Sequence, residues 1–226
     1  MNQLKFGNMK TKIILAFLAS AFSTALFAQT TTTTGTTFGV RAGINLQNIN
    51  GKNVNGDKLK NNVTTGFNVG VNAEIPIGID TYIQPGILYS TKGAKWEGTD
   101  QKVHISYIEI PVNLLYKPLL GTGHMLLGFG PYAAYGISGK VKDDNGVDTK
   151  VEFKKEVSTA DVSTPYFKPF DAGANFLVGY EMANNLSLQL NAQLGLVNIN
   201  PEYQNITDDK SSWKNTGFGV SLGYRF

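Results

Sequence analysis

The chain has no cysteine, so no disulfide framework holds it and no N-terminal cysteine is present to carry a lipid anchor. Past its first 28 residues it has no apolar run near the roughly 18 residues that a spanning helix needs. Histidine is scarce: His104 and His124 are the only two, and they fall in different hairpin regions, so they are not expected to share a metal. An excess of one charge is missing too. The formal net charge of +3 comes from Lys5, Lys10 and Lys12 at the front, where there is no acid, which leaves 17 basic against 17 acidic residues. With that balance, net charge gives no argument for a nucleic-acid partner.

What is present begins at the front. Lys5, Lys10 and Lys12 precede an apolar run from Ile13 to Phe27, followed by Ala28-Gln29. A basic stretch, a short apolar stretch and a small residue at the cut site describe a secretory signal peptide, here residues 1–28 with cleavage after Ala28 and Ala21 as the second candidate. The run is too short for a spanning anchor. Thr30 to Thr37 are a flexible lead-in, which places the folded domain at 38–226.

From Phe38 onward the pattern has a period of two, the signature of strands. Strand one sets Phe38, Val40, Ala42, Ile44 and Leu46 against Gly39, Arg41, Gly43, Asn45 and Gln47. Strands two to seven run about 67–75, 81–95, 107–116, 125–136, 170–181 and 186–196. Leu88 and Pro85 make strand three the least regular, because Leu88 falls on the polar side and Pro85 is awkward in a central strand. Strand eight sets Thr216, Phe218, Val220, Leu222, Tyr224 and Phe226 against Gly217, Gly219, Ser221, Gly223 and Arg225.

Eight strands are an even number, each long enough to cross the hydrocarbon at a tilt. The connections are expected to alternate strictly, long at 48–62, 97–102, 139–166 and 198–213 and short between. This predicts an all-β, eight-stranded antiparallel transmembrane up-and-down barrel in the outer membrane, with long extracellular loops and short periplasmic turns. Asn145-Gly146 predicts a hairpin projecting beyond the rim. The polar faces carry Gly, Asn, Gln and Ser rather than many Lys and Glu, which suits an enclosed interior better than an open surface. Tyr89, Tyr116, Tyr135, Tyr180, Tyr224 and Phe226 fall near apolar-face ends, as an interfacial girdle would. The alternative is a soluble barrel of lipocalin type.

A barrel of this size has an interior that side chains fill. By parity Arg41, Glu74, Glu109, Asp171, Glu181 and Arg225 point inward, and they are expected to form one lumenal charge network that plugs the bore. No cofactor and no metal are expected. Gly219-Val220-Ser221-Leu222-Gly223 matches the nucleophile-elbow spacing but lies inside a strand, whereas the elbow needs a strand–turn–helix. Ser90, Asp100 and His104 are the one candidate set for an outer-rim enzyme, and the sequence as a whole reads as a non-enzyme.

Several motifs resemble the outer-membrane β-barrel family that includes the PorT-like proteins of Bacteroidota. They are Pro85 to Ala94, Tyr107-Ile108-Glu109-Ile110-Pro111, Gly130-Pro131-Tyr132, Phe170-Asp171-Ala172-Gly173 and the closing Leu222-Gly223-Tyr224-Arg225-Phe226. The resemblance spans about Phe38 to Phe226. It implies an outer-membrane barrel in contact with outer-membrane lipid, with Tyr224 and Phe226 resembling the terminal signal read by the barrel-assembly machinery. It leaves two functional classes: a structural or interaction barrel working through its loops on envelope proteins, and a secretion accessory or narrow transport barrel.

Overall fold

The computed structural model describes residues 35–158, 164–204 and 208–226. The signal peptide expected over 1–28 and the lead-in up to residue 34 lie outside the described residues. The alternating segments form eight long strands: β1 Thr37–Lys52, β2 Thr64–Gly78, β3 Thr81–Lys95, β4 Lys102–Tyr116, β5 Gly123–Lys142, β6 Phe170–Glu181, β7 Leu186–Gly195 and β8 Ser212–Arg225. Each pairs antiparallel with its chain neighbours, and β8 pairs with β1 from Gly39↔Arg225 to Lys52↔Ser212. The sheet is therefore a closed eight-stranded barrel with no free long edge.

The turns at one end are tight for local reasons. Asp80 (φ 52°) turns β2 into β3, and Asn185 (φ 66°) turns β6 into β7. Asp and Asn visit the left-handed region at lower cost than bulkier residues. Gly121 (φ 64°) serves the β4–β5 connection, where the short strand Leu119–Leu120 pairs back onto β5. Pro85 sits inside β3, and the β2–β3 ladder has a gap there, between Asn72↔Gly86 and Ile75↔Ile83.

The strands run further at the opposite end than periodicity suggested. β1 continues through Lys52, β4 starts at Lys102, β5 reaches Lys142 and β8 starts at Ser212. The β3–β4 connection is then 96–101, no longer than the β4–β5 connection at 117–122. The expected strict long–short alternation fails at that one hairpin. The physical reason is a change of solvent along the strand. On β4 the outward residues Ile108, Ile110, Val112, Leu114 and Tyr116 are apolar, and the inward Glu109, Asn113 and Lys117 are polar. Above Tyr107 the rule inverts: Lys102, His104 and Ser106 face out, while Val103, Ile105 and Tyr107 are fully buried inside.

The lower part of the barrel is thus apolar outside and mainly polar inside, apart from a buried cluster of Leu115, Leu126 and Leu177, and the upper part is apolar inside and polar outside. Nine residues of β4 separate Ile108 from Tyr116 inclusive. At about 3.3 Å per residue and a tilt near 40°, that is an outward apolar band of roughly 23 Å, close to the height of a bilayer's hydrocarbon layer. Tyr89, Tyr135, Phe67 and Phe170 mark its upper boundary. Tyr116, Tyr180, Tyr224 and Phe226 mark the lower one.

The expected projecting hairpin is only partly present. Asp143 to Val147 close a turn (Asp143 N–H to Val147 O, 3.0 Å), and Asp148–Lys150 pair back onto β5. The chain then folds inward over the mouth instead of projecting. Glu152–Phe153 pair with Tyr166–Phe167, and Glu156–Val157 pair with Glu202–Tyr203 of the β7–β8 connection. These connections are knitted to one another and carry Val151, Phe167 and Ile199 down onto Ile49, Ala94, Val103, Ile105, Tyr107, Tyr132 and Ala134. Trp96 and Trp213 close the packing, with ring centroids 5.6 Å apart.

Candidate functional site

The lumen is where the sequence concentrates its polar chemistry, and alternation delivers it there. All six residues expected inside are buried: Arg41, Glu74, Glu109, Asp171, Glu181 and Arg225. Five of them form two clusters rather than one network, each organised by a lysine that parity-based reading stopped short of, and Arg41 belongs to neither.

At the lower end of the bore Lys117 lies 3.0 Å from Glu74 and 2.8 Å from Glu181. Arg225 takes the other Glu74 oxygen, Oε1. Gln84 donates to that same oxygen at 3.3 Å and receives Asn113 at 3.2 Å, and Asn175 donates to Asn113 at 3.0 Å. A chain of amides therefore climbs the bore from the lower cluster.

At the level of the upper boundary Lys92 is the centre. Its ammonium lies 2.9 Å from Glu109 and 3.2 Å from Asp171, and 4.1 Å above the Tyr132 ring. Asp171 Oδ2 also accepts Tyr132 OH at 3.2 Å and Asn215 at 3.0 Å. Glu109 accepts Gln193. Lys92 is 1% exposed and Asp171 0%, so the pair is dry. The desolvation cost of these three charges is offset by their mutual pairing and hydrogen bonds.

Arg41 departs from the expectation. It forms no ion pair among the described residues, and Nη1 instead donates to the Asn191 amide at 3.3 Å. Asn191 continues to Ser221, and an amide cluster of Asn45, Asn68 and Ser90 fills the wall beside it. Two small cavities flank Arg41, about 20 and 10 Å³. They have room for single waters and not for a solute. Small residues on the inner face of β8 make this filling feasible: a Cβ at Gly217 would collide with the Gln47 amide.

Lys92 and Lys117 were legible by carrying the inward parity two residues further, from Ser90 on β3 and from Leu115 on β4. The candidate enzyme set is not assembled. Ser90 faces the lumen and accepts Asn45 at 3.4 Å, His104 faces outward, and Asp100 pairs with Lys95 at 2.6 Å. Ser221 of the elbow-like motif also faces the lumen, within the polar wall.

A closed barrel with an apolar belt, aromatic boundaries and a polar, filled bore is an outer-membrane β-barrel. The chain belongs to the outer membrane protein beta-barrel domain family, whose model matches residues 27–200. Solved structures similar to it include Neisserial surface protein A, 15% identical, covering 85% of this chain and 99% of that one, TM-score 0.45. Ail, the attachment invasion locus protein of Yersinia pestis, is 13% identical over 85% of this chain and 99% of that one, TM-score 0.41. A major outer membrane protein from Thermus thermophilus is 14% identical over 84% and 99%, TM-score 0.42. No curated protein sequence matches the chain.

Proposed function

We propose that this is a non-conducting outer-membrane barrel that works through its outer, loop-built cap, as a structural element or a platform for envelope proteins. One observation carries the reading: the bore is blocked twice, by the salt-bridged clusters of Lys117 and Lys92 and again by the apolar plug around Ile105 and Trp213. A transport path would have to break both. Residues 1–28 act in this reading as the export signal, the barrel-assembly machinery inserts the chain, and no catalysis or cofactor is involved.

The motif resemblance supports a second reading, a PorT-like accessory of a protein secretion system, with the same closed barrel serving as the membrane anchor of that machine. A deletion strain scored for both secreted cargo and envelope integrity separates the two. Loss of envelope integrity with normal secretion supports the first, and loss of secretion with an intact envelope supports the second. Large, stable conductance steps from the purified protein in planar bilayers would overturn the closed-lumen reading.

A further inference from the structure

The barrel wall is not uniform. The ladders β8–β1, β1–β2, β5–β6, β6–β7 and β7–β8 run without a break or a register shift. The remaining strand pairs are neighbours, and each has a gap. β2–β3 breaks between Asn72↔Gly86 and Ile75↔Ile83. β3–β4 breaks between Pro85↔Val112 and Leu88↔Glu109, and β4–β5 between Pro111↔Tyr132 and Leu114↔Phe129. The register is the same on both sides of each gap, which sets Pro85 opposite Ala73, Pro111 opposite Gly86 and Pro131 opposite Val112. In an antiparallel ladder, alternate opposed residues exchange both N–H···O bonds, and proline has no N–H to give. One missing donor unpairs its own position and the next, which is the pattern of all three gaps. Pro131 opens no gap toward β6, where Pro131↔Ala174 lies in an unbroken run. The carbonyls of Ala73, Gly86 and Val112 have thus lost their ladder donors, in adjacent strands and within the apolar band, where lipid supplies none.

Behind these gaps a polar way climbs the bore. The first gap holds Glu74 and Gln84, which belong to the lower cluster and its amide chain. The 10 Å³ cavity lies along the gaps, with Arg41, Asn72, Gln84, Gly86, Pro111 and Asn113 among its walls. Arg41 is buried, its Nε has no partner, and Asn72 Oδ1 has none either. An orphan donor and an orphan acceptor therefore border one water-sized space. On the β4–β6 side the bore is filled instead by the dry cluster of Leu115, Leu126 and Leu177. We propose that the β2–β5 wall is the compliant side of the barrel, and that single waters pass along it between the lower mouth and Arg41. A water at Arg41 accepts from Nε and donates to Asn72 Oδ1, and local opening of the weakened ladders lets it exchange. Ions and solutes stay blocked, as in the closed-barrel reading on which this rests, and only water moves.

The test is hydrogen exchange by NMR on the full-length protein in phosphatidylcholine nanodiscs, read at backbone amides and at arginine Nε–H groups. In the wild type, the amides of Ala73, Gly86 and Val112 should exchange about tenfold or more faster than those of Ala192 and Val220, which lie in unbroken ladders of the same band. Pro85→Val with Pro131→Val restores two donors on the outward, lipid-facing side. It should slow the Ala73 and Val112 amides and the Arg41 Nε–H by about fivefold or more. The Arg225 Nε–H, at the lower mouth, should stay within about twofold of wild type. The wild-type comparison holds whether or not the double variant folds well. Wild-type amides at Ala73, Gly86 and Val112 as slow as those of Ala192 and Val220 would overturn the proposal. So would an unchanged Arg41 Nε–H rate in the folded variant, since water would then reach Arg41 by another way. Conductance recorded on the same protein reports the closed-lumen reading separately, so either idea can fail alone.

Discussion

Arg225 reaches across β1 to hold Glu74. Arg225 stands opposite Gly39 in the β8–β1 ladder, and Glu74 stands opposite Thr37 in the β1–β2 ladder. The pair therefore bridges the two strands that flank β1, at the seam where the end of the chain meets its beginning. Gly39 is what lets it pass, because a Cβ there would sit 2.9 Å from the Arg225 guanidinium carbon.

Arg225→Gln should destabilise the folded barrel by about 3–5 kcal/mol, since it removes one partner of a buried pair. Glu74→Gln should cost as much or more, because Lys117 also loses a carboxylate. Gly39→Leu should reproduce the Arg225 effect without touching a charge. Urea unfolding in detergent micelles, followed by heat-modifiable migration, reads all three. Wild-type midpoints for Arg225→Gln and Gly39→Leu would show that the pair is not structural.

Much of this arrangement was legible in the sequence, and the strand ends that were not legible have a physical cause. Alternation over Phe38 to Leu46 and over Leu186 to Leu196 assigns faces directly, because one solvent acts along the whole segment. In β4 the apolar parity switches at Tyr107–Ile108, from odd positions to even. A reading that expects one parity per strand discards 102–106 as loop, although Lys102, His104 and Ser106 alternate with Val103 and Ile105 as cleanly as the segment below. Lys92 was missed differently: it lies inside the expected strand 81–95 on the same inward parity as Gln84 and Ser90, and the inward set was followed only as far as Ser90. The cap was illegible for a different reason: its short strands pair segments far apart in sequence, Glu156–Val157 with Glu202–Tyr203, and two-residue strands carry no period.

The parity switch can be tested within one strand. Val112 and His104 are both outward on β4, one in the middle of the apolar band and one above it. Val112→Arg should cost about 2–4 kcal/mol, the depth-dependent penalty of a cation at the bilayer midplane. His104→Arg should cost about 0–1 kcal/mol, because that side chain already meets water and headgroups. Refolding into lipid vesicles with denaturant titration measures both. Equal penalties would move the membrane boundary off Tyr107–Ile108.

Lys92 predicts a different pattern. Lys92→Met leaves Glu109 and Asp171 buried without their cation, and should cost about 3–5 kcal/mol. Adding Glu109→Gln and Asp171→Asn removes the uncompensated charge and should recover most of that loss, because the site is then neutral and still packed by Tyr107, Tyr132 and Asn215. The triple variant should remain non-conducting, since the plug around Ile105 and Trp213 lies above it. Failure of the triple variant to recover would mean that the lysine stem, not its charge, supports the bore. A conducting triple variant would mean that the upper plug does not seal it.

Phe226 separates assembly from stability. Its N–H donates to Phe38 O at 2.8 Å, and its ring meets Tyr224 edge-on at 5.3 Å. The ring is 50% exposed on the outer face, at the lower boundary of the band. Phe226→Asp loses an aromatic pair worth about 0.5–1.5 kcal/mol and places a charge where the penalty is small. Protein refolded from urea should therefore unfold near the wild-type midpoint. In the proposed reading the barrel-assembly machinery recognises Phe226, so in cells the same variant should give several-fold less heat-modifiable barrel in the outer-membrane fraction. Arg225→Gln should show the opposite balance, unstable after refolding even where it is delivered. Normal yield of the Phe226→Asp barrel in cells would leave Phe226 as a lipid anchor alone.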